Sequence, residues 1–344
     1  MHKRKLRKAR LFQWEFWPFY VFYLPVMVYY VLLSAWHRSF FYFTATNPSI
    51  DFGGMTGERK SKIYELMPSW SYPKTVLIEE ADRSCIEERA REIGFPMVAK
   101  PDIGERGRGV EVIQDIGALR AYMPKTPVPF LLQEWVSYPL ELGVFYMRMP
   151  NESRGVITSI VMKGFLSVTG DGTSTVEELL RDNVRAQLQL DFANPSVLAL
   201  LPRVPKKGEE VLVQPIGNHC RGTMFLDVTH EADERLTEAI DRLAKEIDGF
   251  YYGRFDLRCT SLEQLRQLEG FKVVELNGVG AEPAHIYHPG FSLLRAYGIV
   301  LWHFHQMAKI ARINKKAGTP YLAFRKGVKK MSDIRSYNRR LQHL

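Results

Sequence analysis

From Lys74 onward, two periods of apolar and polar positions take turns along the chain. Short runs with a period of two read as strands, and longer stretches with a helical period follow them. KTVLI (74–78) reads as a strand, and Asp82 as the N-cap of a helix through Ile93 that Gly94 ends. Strands follow at PMVAKPD (96–102), LLQEWV (131–136), ELGVFYMRM (141–149) and GVITSIVMKGF (155–165). Thr175 caps a helix that starts at Val176, MFLDVT (224–229) is a strand, and residues 232–247 and 291–313 read as helices. The sequence holds no internal repeat and no low-complexity tract.

Two short runs carry the most polar content. The first is Gly253-Arg254-Phe255-Asp256-Leu257-Arg258 and the second is Val273-Val274-Glu275-Leu276-Asn277. On a strand, side chains at i and i+2 share a face. Arg254 and Asp256 therefore point the same way, and so do Glu275 and Asn277. Should the two strands pair, one face gathers an arginine, two carboxylates and an amide oxygen. That is the hard, all-oxygen set that magnesium takes when phosphates fill its other positions. A solvated sheet face with an ordinary ion pair is the plain alternative.

Before Lys74 the pattern differs. Phe16 to Trp36 is a run of 21 residues without a charge, and its length and apolarity suit a membrane helix. It is too long and too aromatic for a signal peptide, and no small-residue cleavage site follows. Pro18 and Pro25 interrupt helical hydrogen bonding, and Tyr and Trp are dense, as at a membrane interface. A second aromatic run, Phe40-Phe41-Tyr42-Phe43, comes next. The expectation is a bent, re-entrant or monotopic anchor that enters and leaves on the cytoplasmic side. A buried helix of a soluble domain and a true single span are the alternatives. Residues 44–73, with Asn47-Pro48 and GGMTGERKSK (53–62), read as a connector built of turns, the Gly-rich part serving as linker or substrate loop.

Composition narrows the class. The chain has 344 residues, 46% hydrophobic and 25% charged, enough for one large or two ordinary globular domains. Residues 1–13 carry six Lys/Arg and no acid, and residues 314–344 carry nine Lys/Arg and one acid, so the two ends hold +14 of a net +9 and the middle is −5. Basic ends fit an anionic membrane surface. A nucleic-acid partner is not expected, because the aromatics cluster in the apolar segment rather than between the basic residues. Cys85, Cys220 and Cys259 are widely spaced with no CxxC, which points to reduced thiols in a cytoplasmic setting rather than disulfides or zinc.

Candidate chemistry lies at the strand ends. Lys100 closes a strand just before a loop with Gly104, Gly107 and Gly109, where backbone N–H groups can approach phosphate oxygens and the lysine adds a charge. The motif is not a Walker A, which needs GKS or GKT. Glu134 lies in LLQEWV and Glu141 is seven residues on; the strand edge there can read adenine and a carboxylate can hold ribose hydroxyls. Lys163 ends the next strand.

In this order — strand-end lysine, glycine loop, two glutamates, second lysine, Arg-x-Asp, Glu-x-Asn — residues of about 74 to 300 closely resemble the ATP-grasp superfamily, in particular D-alanine–D-alanine ligase and the ATP-grasp part of cyanophycin synthetase. VTGDGTSTVEELL (168–180) and GNHCRGTMFLDVT (217–229) are similar to stretches of the latter, although His219, Cys220 and Arg221 depart from its pattern, so a substrate cannot be carried over. The resemblance implies an α+β ATP-grasp fold, two α/β subdomains holding ATP between antiparallel sheets, here following an N-terminal hydrophobic membrane-associated segment. The implied layout is a basic N-terminus and anchor (1–43), the connector (44–73), a catalytic domain (74–313) and a basic C-terminal tail (314–344).

The resemblance also implies roles. Lys100 and Lys163 hold ATP phosphates, loop residues Gly104, Gly107 and Gly109 cover them, Glu134 and Val136 form the adenine hinge, and Glu141 contacts the ribose. Asp256, Glu275 and Asn277 are the magnesium ligands, with manganese an acceptable substitute, and Arg254 steadies the transferred phosphoryl group, so that Arg254 and Lys163 are the catalytic cations. His219, Arg221 and His285 are candidates for substrate contact. The implied activity joins a carboxylate to an amine through an acylphosphate at the cytoplasmic face of the membrane, where ATP is found; the carboxylate is lipidic or presented at that surface, or else soluble. A kinase that stops at phosphoryl transfer and a non-catalytic nucleotide-binding scaffold are the other readings, and a homodimer is compatible with each.

Overall fold

Among the described residues, eleven strands arise where the period-two runs find a core for one face, and all their pairings are antiparallel. They belong to a computed structural model that describes residues 6, 11–104, 107–181, 183–192, 194–214, 217 and 222–340. Strands β1 (Thr75–Ile78), β2 (Met97–Pro101), β3 (Glu111–Ile113) and β4 (Phe130–Glu134) form one sheet in the order β1-β4-β2-β3. A second sheet has the order β11-β10-β5-β6-β9, from β5 (Leu140–Met147), β6 (Val156–Gly164), β9 (Met224–Asp227), β10 (Tyr252–Cys259) and β11 (Phe271–Asn277). Strands β7 (Leu166–Thr169) and β8 (Glu210–Gln214) pair separately.

Helices among the described residues are α1 (Phe19–His37), α2 (Lys60–Leu66), α3 (Ile86–Ile93), α4 (Ile116–Tyr122), α5 (Val176–Arg181), α6 (Val184–Gln189), α7 (Pro195–Leu198), α8 (Glu234–Lys245), α9 (Leu262–Leu265), α10 (Leu293–Lys316) and α11 (Phe324–Arg340). Helix α8 shows how the larger core forms. Asp233 caps it by accepting the Leu236 N–H at 2.8 Å. Its stripe Leu236, Ile240, Leu243 then packs on Leu142, Val144, Phe255 and Leu257 of the five-stranded sheet. Each such side chain removed from water contributes roughly 1.5–3 kcal/mol. The smaller sheet buries Ile78, Met97, Ala99, Phe130 and Leu132 under α3 and α4.

The opposite face of the five-stranded sheet is divided. At one end Phe145, Met147 and Tyr252 pack against α10 and the aromatic run Phe41-Tyr42-Phe43. The other end, where β10 and β5 place Arg254, Asp256, Arg258, Glu141 and Gly143 on one face, is polar.

Several expectations change. Asp82 does not cap an α-helix; with Glu79 it makes a reciprocal capping box around a 3₁₀ turn, Glu80–Cys85, and α3 starts at Ile86. Short polar side chains there bond the local backbone, which competes with the α-helix. Residues 44–73 are not a plain linker. Ile50, Phe52, Ile63, Tyr64 and Met67 are core residues, and Gly53 and Gly54 carbonyls accept the N–H groups of Val279 and Gly280 at 3.1 and 2.8 Å. The expected break at the prolines is absent: Pro18 is the N-cap of α1 and the helix runs on through Pro25. A missing N–H costs little at a helix start, and packing on α10 supports the turn around Pro25. The basic C-terminal stretch contains α11, whose Ile334 joins the core beside α10.

Candidate functional site

Strands β10 and β11 pair in the register that sets Arg254 opposite Asn277 and Asp256 opposite Glu275. The four polar groups foreseen on one face are thus neighbours. Arg254 clamps Asp256 with both ends of its fork, Nε to Oδ1 at 2.7 Å and Nη2 to Oδ2 at 2.9 Å, and donates through Nη1 to the Glu282 carbonyl at 3.2 Å. Asn277 Nδ2 donates to Asp256 Oδ2 at 3.3 Å. Burial works against the Asp256 charge, but Arg254 and Lys163 outweigh it and hold the carboxyl below its usual range. Burial likewise opposes the Arg254 charge and Asp256 overcomes it, so the guanidinium is held firmly protonated.

Lys163, on β6, extends this group. Its Nζ lies 2.9 Å from Glu141 Oε1 and 3.8 Å from Asp256 Oδ2. Burial disfavours its charge, and the Asp256 and Glu141 carboxylates more than restore it. Arg258 takes the other oxygen of Glu141 at 3.1 Å, donates to the Val136 carbonyl and lies over the Trp135 ring. Gly143 gives the pair its room: a Cβ there would fall 2.9 Å from Val161 and 3.2 Å from both Arg254 Cδ and Asp256 Oδ1. Gly217 lies against the Lys163–Glu141 pair, where a Cβ would meet Glu141 Oε1 at 2.5 Å and Lys163 Cδ at 2.8 Å.

The smaller sheet supplies Lys100. Its Nζ donates to Gln133 Oε1 at 2.8 Å, to the Tyr64 hydroxyl at 2.9 Å and to the Val274 carbonyl on β11 at 3.0 Å. Three acceptors match the three N–H bonds of an ammonium. Burial pushes its pKa down to about 7, with Glu275 resisting and Lys60 adding to the fall. Lys60 itself opens α2, whose first turn is tied to Asp102 at the end of β2: the Asp102 carbonyl accepts the Lys60 N–H at 2.9 Å and its carboxylate accepts that of Ser61 at 2.8 Å. This anchoring directs the Lys60 Nζ to within 3.3 Å of Glu275 Oε1 and 2.7 Å of the Gly104 carbonyl. Burial opposes the Lys60 charge, but Glu275 and Glu58 hold its pKa above the usual lysine value. Burial also disfavours the Glu275 anion, and Lys60 is the largest influence holding it below its usual value.

Lys163, Glu141, Arg254, Asp256 and Asn277 therefore form one linked polar cluster on the five-stranded sheet, and Lys100 and Lys60 join it to the smaller sheet through Val274, Glu275 and Gly104. Gly107 and Gly109 both have positive φ, 70° and 65°, a conformation that suits glycine. Glu134 stands elsewhere: its side chain is exposed and accepts the Lys74 N–H at 3.1 Å, away from this cluster. Val136 is buried, and its carbonyl is occupied by Arg258. His285 is buried edge-on to Phe291, outside the polar group. His219 and Arg221 lie outside the described residues.

Lys60, Tyr64, Gln133 and Arg258 were not foreseen. Arg258 shares the i, i+2 pattern of Arg254 and Asp256 and was legible; Lys60 sits in a polar run with no period to point it anywhere.

Asp256, Glu275 and Asn277 offer two carboxylates and an amide from adjacent strands, a donor set that fits magnesium or manganese. Among the described residues no group of three or more His, Cys, Asp or Glu could hold a metal. An ion here would take its further ligands from phosphate or water.

No protein-family model and no curated protein matches the chain. Solved structures do. A bifunctional glutathione synthetase from Pasteurella multocida is similar at 16% identity and TM-score 0.40, over 72% of this chain and 36% of that one. D-alanine–D-alanine ligase from Bacillus anthracis is similar at 13% identity and TM-score 0.44, over 76% and 69% of the two chains. VanG D-Ala:D-Ser ligase from Enterococcus faecalis is similar at 12% identity and TM-score 0.43, over 74% and 64%. The chain thus spans about a third of the synthetase and about two thirds of the ligases.

Proposed function

We propose that this chain is an ATP-grasp ligase that joins a carboxylate to an amine, with ATP converted to ADP and phosphate by way of an acylphosphate. One observation carries the reading. Two lysines from different sheets, Lys100 and Lys163, converge on the strand pair that carries Arg254, Asp256, Asn277 and Glu275. Phosphoryl transfer is mostly positioning and charge neutralisation, and this cluster of fixed charges suits both.

Lys100 and Lys163 are the cations for the nucleotide phosphates, each held at a fixed point by buried acceptors. Arg254 is oriented by Asp256 and faces the transferring group. Magnesium held by Asp256, Glu275 and Asn277 would supply further positive charge to the phosphates. Gly107 and Gly109 give the covering loop the freedom to close and exclude water from the acylphosphate.

The test is nucleotide turnover by the purified full chain with Mg-ATP, with and without an amino-acid pool and a lipid extract, and with Glu275→Gln as control. ADP and phosphate that appear only with substrate, and are lost in the variant, support the ligase. Mass spectrometry of the product separates an amide from a phosphorylated acceptor, the latter indicating a kinase. AMP and pyrophosphate would overturn the acylphosphate route.

A further inference from the structure

Helices α1 and α10 run side by side in the same direction. Trp14, just before α1, donates to the Phe291 carbonyl at 2.7 Å; Phe22 stacks on Tyr297; Tyr29 bonds His305 at 3.0 Å; and the Arg312 guanidinium lies 4.5 Å from the Trp36 ring. The inner face of α1, from Phe22 through Tyr23, Val26 and Tyr30 to Leu33, is buried along this contact. The outer face is apolar and open. Tyr20 is 74% exposed, Leu24 69%, Val28 62% and Leu32 63%. The first part of α10, beside α1, also exposes Leu294 and Trp302.

Beyond that stripe the surface turns cationic. Lys309, Arg312, Lys315 and Lys316 are exposed on the last turns of α10, and Arg38 follows α1. Between them runs a groove of about 910 Å³ lined by Trp36, Arg38, Arg312, Lys315, Lys316 and Phe324, among other residues, with no carboxylate in its lining. Helix α11 starts at its rim with Arg325 and Lys326.

An apolar stripe beside a carboxylate-free cationic groove has the layering of an anionic lipid surface: acyl chains, then phosphates. A second copy of the chain would set cations against cations, which disfavours that occupant. A span across the bilayer would require α1 to abandon an inner face buried over about 16 Å of its length. We infer that the outer face of α1 and the first part of α10 lie in the plane of an anionic bilayer, with lipid phosphates seated among Arg38, Arg312, Lys315 and Lys316. The inference does not depend on the proposed ligase reaction.

The experiment is co-sedimentation of the full chain with vesicles of phosphatidylcholine alone or mixed with phosphatidylglycerol. The expected result is binding to the mixed vesicles, lost in Leu24→Glu/Val28→Glu and weakened roughly tenfold or more in Arg312→Glu/Lys316→Glu. Nitroxide labels on Tyr20→Cys, Val28→Cys and Val31→Cys keep the inference testable if a charged variant fails to fold: in-plane docking gives the three similar, shallow depths. Equal binding to neutral vesicles, a label series that descends to the bilayer centre, or a stripe that buries itself in a dimer instead would overturn it. So would saturation of the groove by inorganic phosphate with no vesicle binding.

Discussion

Lys60 occupies the Glu275 oxygen that a divalent ion would need and at the same time holds the Gly104 carbonyl. Lys60→Met should let Mg²⁺ bind several-fold more tightly without nucleotide and speed hydrogen exchange across residues 107–110; an unchanged metal affinity would show that the contact does not compete. Lys100 makes a second prediction. Its pKa of about 7 in the folded chain is far below the usual lysine value. Between about pH 7 and pH 10 the unfolded chain therefore binds more protons, and stability rises with pH across that window. Nucleotide phosphates favour the ammonium, so ATP binding at about pH 8 should take up a proton. Calorimetry in buffers of different ionisation enthalpy reads this uptake, which Lys100→Met should abolish; a buffer-independent heat in the unaltered chain would contradict it.

At the scale of elements, strand alternation made the site legible. A period of two fixes which side chains share a face, so Arg254, Asp256, Glu275 and Asn277 could be grouped before their partners were known, and β10 and β11 pair accordingly. Three kinds of feature escaped. Glu134, expected with Val136 at the adenine hinge, stands at the last residue of β4, where its side chain turns back to Lys74. Lys60 was invisible because tertiary contacts with Asp102, not local pattern, aim its helix. Residues 44–73 bury Ile50, Phe52 and Ile63 through long-range contacts, and three isolated apolar positions establish no repeat, so a core segment reads as a connector. Gly143 tests the strand geometry itself. Gly143→Ala would press on Val161 and on the Arg254–Asp256 pair, costing about 1–3 kcal/mol in thermal unfolding and at least tenfold in turnover. Full turnover in this variant would mean that the ion pair can shift without consequence.

For the whole molecule, the N-terminal region and the five-stranded sheet form one folded body. Asn47 is fully buried; its amide donates to the Gly53 and Tyr252 carbonyls at 3.1 and 2.8 Å and accepts the Tyr251 and Tyr252 N–H groups at 2.9 and 3.0 Å. Asn47→Ala should lower stability by roughly 2–4 kcal/mol, since it strands buried backbone donors. Urea unfolding checks this, with Asn47→Asp, which keeps the acceptor, expected to lie in between. The glycine contacts beyond Asn47 have a mechanical consequence. Tyr30 and Leu33 of α1 share a core with Phe43, Gly53 lies under the Phe43 carbonyl, and Gly53 and Gly54 press backbone to backbone on Gly278, the residue after Asn277. Tyr23 of α1 also bonds Glu282, whose carbonyl holds Arg254. Such a linkage has no slack: a tilt of the outermost helix arrives at Asn277 and Arg254 as a push, where a flexible tether would have absorbed it.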